Sequence, residues 1–131
     1  AEHAGHDPSN LALSINSHGF IAEDPARAAD LAFPPLKAAM DRIGRERGWP
    51  PLSRAQFDQS KSVRGANFIG SPDEIIEKIL FQHDIFRHQR LLLMFTVGTM
   101  PHADVMRAIE LYGTRVAPVV REEIARKTSE V

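Results

Sequence analysis

Ala66-Asn67-Phe68-Ile69-Gly70-Ser71-Pro72-Asp73-Glu74-Ile75-Ile76-Glu77-Lys78-Ile79-Leu80 is the stretch whose reading decides the fold. Its opening, Ala66 to Ile69, is a short apolar run that reads as a brief strand stopped by Gly70. Ser71 is then placed as a helix N-cap and Pro72 as the first helical residue. Glu74 follows three residues on, where its carboxylate can return a bond to the Ser71 amide. A helix starts here, with Ile75, Ile76, Ile79, Leu80 and Phe86 on one face and Asp73, Glu77, Lys78 and Asp84 elsewhere, so it covers something apolar. A strand passing directly into such a helix is half of a strand-helix-strand crossover.

Upstream, Leu11 to Ala22 alternates apolar and small polar side chains with period 2, which predicts a strand ending near Ser17 to Phe20. Asp24-Pro25 supplies an N-cap and a pre-set first helical residue. Leu31, Leu36, Ala39, Met40 and Ile43 then recur at helical spacing. Each proline of Pro34-Pro35 deletes a backbone donor, so the expectation is two helical pieces, 25–32 and 35–47. Trp49-Pro50-Pro51-Leu52 ends that segment. Ser53 and Gln56 have capping-box spacing for a short helix through Phe57, and 58–65 reads as loop.

Downstream, Arg90 to Gly98 is an apolar run without alternation, as in strands of parallel sheets buried on both faces. Pro101 opens a last helix carrying Val105, Ile109, Tyr112, Val116 and Val119, bent by Pro118. Strand, helix, strand, helix, strand, helix is an α/β order with parallel crossovers.

Composition agrees with one globular domain. The chain has 131 residues, 43% hydrophobic and 25% charged, with no cysteine, and its formal charge is −1. That balance argues against nucleic acid or a polybasic membrane surface as partner. The longest apolar run, Leu91 to Phe95, is far short of the roughly 20 residues that span a bilayer, and no basic-then-apolar leader opens the chain. The default compartment is the cytoplasm. Ala1-Glu2-His3-Ala4-Gly5 lacks a start Met and reads either as the frayed end of a helix in a longer chain or as a processed start.

In parallel α/β folds, ligand sites lie at the carboxyl ends of strands. Three places qualify: Asn16-Ser17-His18-Gly19, Gly70-Ser71, and Gly98-Thr99-Met100-Pro101-His102. His18 is a catalytic candidate, since a neutral imidazole can hydrogen-bond a ligand or move a proton near neutral pH; the alternative is a His tied to a neighbouring loop. His102, in the first turn of the last helix, is a second catalytic candidate or a solvated surface residue. Gly70 and Ser71 precede a helix N-terminus and are candidates for binding a cofactor phosphate, against plain structural capping. His3, His6, His83 and His88 read as surface residues, and no pair has metal-ligand spacing. Phe20, Phe68, Met94 and Phe95 read as core. No dinucleotide fingerprint, P-loop, nucleophile elbow or cysteine nucleophile is present.

Beyond these readings, Ile69 to Leu80 resembles the G-[ST]-P-E-E-V-A-E-K-L segment of luciferase-like flavin-dependent monooxygenases. Arg90 to His102, then Ala108-Ile109-Glu110-Leu111-Tyr112-Gly113 and Val116-Ala117-Pro118, resemble that family's last strand and helix. Ser17 to Ala22 with Arg42 to Trp49 is similar to one oxidoreductase branch of it.

The resemblance implies the C-terminal three strand-helix units of a TIM-type (β/α)8 barrel. A whole barrel takes roughly 250 residues, so residues 1–131 are expected to be a single partial domain of a longer chain. It further implies a parent enzyme in which reduced flavin (FMN) and oxygen act on a small organic substrate. A deazaflavin-dependent dehydrogenase on the same scaffold is the alternative. The isolated piece is expected to be inactive, a non-catalytic association module being the second alternative, and the edges of its first and third strands would pair with the missing barrel half or in a homo-oligomer. His18 and the loops at Gly70 and Gly98 would line the barrel mouth.

Overall fold

The computed structural model describes residues 2–130. Two short 3-10 turns, Glu2–Ala4 and Pro8–Asn10, lead into β1 (Ser14–Ile21). Helix α1 (Pro25–Arg47) begins where expected: the Asp24 side chain accepts from the Arg27 amide at 2.9 Å, and Pro25 takes the first helical position. It does not break at Pro34-Pro35. Ala28, Ala29 and Ala32 before the prolines and Leu36 after them are buried in the same core, and the Phe33 ring packs on Phe57 with centroids 5.0 Å apart. Burial on both sides of the prolines holds the two halves in one helix despite the missing donors. The helix closes on Gly48 in the left-handed conformation.

Helix α2 (Arg54–Ser60) starts with the expected Ser53/Gln56 capping box and runs beyond Phe57, into the stretch read as loop. Strand β2 is only Phe68–Gly70, and α3 (Pro72–Phe86) carries the full Ser71/Glu74 capping box. Strand β3 is Arg90–Met94. The last helical segment is α4 (His102–Leu111), a wide π-turn at Tyr112–Val116, then α5 (Ala117–Ser129). The irregularity precedes Pro118, which has no N–H to give. The Ala117 amide reaches back instead to the Tyr112 carbonyl.

The three strands form a parallel sheet in the order β2-β1-β3. This corrects the expected run of consecutive barrel staves, in which the second strand would sit between the first and third. Here β1 is central. Its far end, Gly19–Ile21, pairs with Phe68–Gly70, and its near end, Ser14–His18, pairs with Arg90–Met94. The eight residues of β1 are long enough to serve both neighbours on opposite sides, whereas three-residue β2 offers little backbone to a third strand. The result is a small α/β domain with an open three-stranded sheet. Its open outer edges belong to the second and third strands, β2 and β3, and not, as expected, to the first, which is central.

Strand β3 is also not buried on both faces. Leu91 and Leu93 pack against the core, while Leu92 and Met94 are 48% and 45% exposed, as an edge strand covered on one face requires. Met94 is thus not a core residue, unlike Phe20 and Phe68. The rest of the apolar run leaves the strand: Phe95, Val97 and Met100 fold back onto the core from the loop. That core centres on Phe20, Ile21, Phe57, Phe68, Ile75, Leu111 and Val116, all nearly inaccessible to solvent. Among the described residues, no helix is long and apolar enough to cross a membrane.

Candidate functional site: the groove along β1

The carboxyl ends of the strands, where a ligand was expected, are filled by the chain itself. Phe95, Val97 and Met100 close over His18, Gly19 and Phe20 and leave a cavity of about 10 Å³, room for no more than one water. Gly70 and Ser71 are taken up by capping. The Ser71 amide donates to Glu74 Oε2 at 3.0 Å, the Glu74 amide donates to Ser71 Oγ, and a Cβ on Gly70 would collide with the Glu74 carboxylate. With Pro72 lacking a donor and Asp73 and Glu74 both in the first turn, this junction does not fit a flavin phosphate. His102 lies exposed in the first turn of α4 and lines neither of the spaces around His18.

His18 lies inside β1, not after it, paired with Met94 at the point where β3 stops. Because β2 reaches only Gly19–Ile21, the side of β1 facing β2 has no strand partner along Ser14–His18. A groove follows this open edge. One part, about 360 Å³, lies between Leu13–Ser17 and the side chains of Phe68, Gln82 and Phe86. The adjoining part, about 270 Å³, runs past Asn16, Ser17 and His18 to Ala66, Asn67 and Met94. No Asp, Glu, Lys or Arg lines either part. The Nδ1 of His18 and the Oε1 of Gln82 are buried without a hydrogen-bond partner. With Nδ1 sealed, Nε2 is the ring nitrogen of His18 able to reach a ligand.

The wall opposite β1 is fixed by Lys78, which sequence reading placed among the polar residues of α3. It is 2% exposed. Its Nζ donates to the carbonyls of Ser62 at 2.8 Å, Asn67 at 2.5 Å and Ser60 at 3.5 Å, and sits 5.0 Å from the centre of the Phe68 ring. Burial pulls its pKa down from 10.5 to about 8. Asn67 is held a second time, its Nδ2 donating to Ser60 Oγ at 2.9 Å, while Ser17 Oγ donates to the Ala66 carbonyl. The signal for Lys78 was its place three residues after Ile75, on the apolar stripe of the helix.

His83 and His88 are not surface residues. His88 is 6% exposed, and the two rings meet edge to face with centroids 5.5 Å apart. Among the described residues no group of three or more metal-ligating side chains occurs.

No family profile and no curated protein matches the chain. A solved structure does. The chain is similar in shape to the monooxygenase RslO1 from Streptomyces bottropensis, with a TM-score of 0.63 and 22% identity over 89% of this chain. The match covers 33% of the RslO1 chain, so this chain spans about a third of that protein's length. At this identity the two share a fold.

Proposed function

We propose that the chain forms part of an oxidoreductase of the monooxygenase class and that the groove along β1 takes its small organic substrate. The observation that carries this reading is a groove without formal charge, apolar at Phe68, Phe86 and Met94, that ends at the His18 imidazole. The similarity to RslO1 and the resemblance of Ile69 to Leu80 to luciferase-like monooxygenases support it. In such an enzyme a reduced flavin supplies the electrons that activate oxygen. The phosphate of FMN would be held by residues outside this chain, since Gly70 and Ser71 are engaged by Glu74.

The chain's own part is to bind and to move a proton. Asn16 and Ser14 offer donors and acceptors along the groove, and the aromatic rings and Met94 enclose the apolar part of the substrate and exclude water. His18 holds or passes a proton at Nε2.

The test is made in the full-length protein. Replacing His18 by Gln is expected to lower kcat/KM by about a hundredfold with reduced-flavin binding unchanged, the size of effect that a positioned acid-base group has. Unaltered turnover would remove His18 from the chemistry. Turnover in strictly anaerobic buffer would overturn the monooxygenase reading in favour of a deazaflavin-dependent dehydrogenase.

A further inference from the structure

A second cavity, of about 270 Å³, lies at the amino end of β3, where the last turns of α3 meet the π-turn and the start of α5. Its polar lining is His83, His88, Gln89, Arg90, Tyr112 and Arg121, with no carboxylate among the lining residues, and the Gln89 amide is engaged by the Leu13 amide and the Arg87 carbonyl. The guanidinium groups of Arg90 and Arg121 have no hydrogen-bond or ion-pair partner among the described residues. Asp84, next to His83 in sequence, is taken by Lys127 at 3.0 Å, and Glu123 by Arg126 at 2.7 Å, while Glu122, next to Arg121, does not line the cavity. His88 is more than nine-tenths buried, and its Nδ1 and that of His83 lack partners. The rest of the wall is apolar, formed in part by the buried Ile79 and Val120.

Two unpaired cations, two imidazoles and a phenol facing one space that no acid lines make a place for an anion. The apolar wall excludes a purely hydrated ion as the best occupant, because it stays wet or empty unless hydrocarbon covers it. We propose that this cavity binds a small organic carboxylate, its head held by Arg90 and Arg121 and its apolar body lying against Ile79 and Val120. The Tyr112 hydroxyl donates to the same head; burial raises its pKa, so it keeps its proton at neutral pH. Burial and then the charge of His83 hold the pKa of His88 below the ordinary range. A bound carboxylate facing both rings offsets that penalty and favours the protonated form.

The proposal is independent of the groove along β1 and is tested separately. Benzoate is titrated into the protein while the imidazole signals of its histidines are followed by NMR, with inorganic phosphate as a head-only probe. Saturable shifts are expected at His83 and His88, with His3 and His6 unmoved and phosphate binding weaker. Arg90→Ala and Arg121→Ala are each expected to weaken benzoate binding about tenfold, as for loss of a charge-assisted hydrogen bond. Arg42→Ala on α1 should leave it unchanged. Both arginines are exposed, so these variants fold, and circular dichroism checks that they do. Absence of saturable shifts at millimolar benzoate, or full affinity in both arginine variants, overturns the proposal. Phosphate binding as tightly as benzoate overturns the organic class of the ligand.

Discussion

At the scale of single residues, Lys78 and Gly98 show how a side chain and the lack of one fix the surroundings of the groove. The Lys78 ammonium is buried against three carbonyls, and its pKa is pulled down to about 8. Between about pH 8 and 10.5 the folded chain therefore gives up this proton while the unfolded chain still binds it. Stability should rise with pH across that window and lose this slope in Lys78→Met, measured by urea unfolding at several pH values. Gly98 has a φ of +70°, and a Cβ there would lie 2.7 Å from the Pro35 carbonyl oxygen. Gly98→Ala should cost more than about 2 kcal/mol, since left-handed backbone alone costs roughly 1–2 for a residue with a side chain. A thermal melt within error of the parent would contradict the close approach of this loop to α1. His18 could be singled out in the sequence because few histidines sit beside a strand. That its Nδ1 is sealed could not, because sealing depends on neighbours distant in the chain.

At the scale of elements, the sequence was most legible where the signal was local. The Ser71/Glu74 and Ser53/Gln56 capping boxes formed as read, because the groups concerned lie within three residues of one another. Ser71→Ala should cost about 1 kcal/mol, seen as a lower urea midpoint with the slope unchanged. A loss near zero would mean that packing of Ile75 and Ile79 alone sets the start of α3. Prediction failed where packing overrode the local rule. Pro34-Pro35 did not divide α1, and the run from Arg90 to Gly98 became a five-residue edge strand followed by a loop. Continuous apolarity marked residues that cover the core, but not whether they do so as strand or as loop.

At the scale of the whole molecule, the sheet order separates what this chain is from what its motifs suggested. The outer edges of β2 and β3 are open, and Leu92 and Met94 lie exposed beside the latter. Open edges recruit further strands. The chain is therefore expected to self-associate, which light scattering at micromolar concentration can measure; a monodisperse monomer would count against it. The alternation of strands and helices, the starts of α1, α2 and α3, and the candidacy of His18 were determined by the sequence alone, because each depends on residues a few positions apart. The placing of β1 between β2 and β3, the burial of Lys78 and His88, the filling of the strand ends by Phe95, Val97 and Met100, and hence the position of the groove were decided only by the tertiary structure. Strand pairing and burial join residues as far apart as Ser14 and Arg90, and no local pattern says which distant backbone will supply a strand's hydrogen bonds.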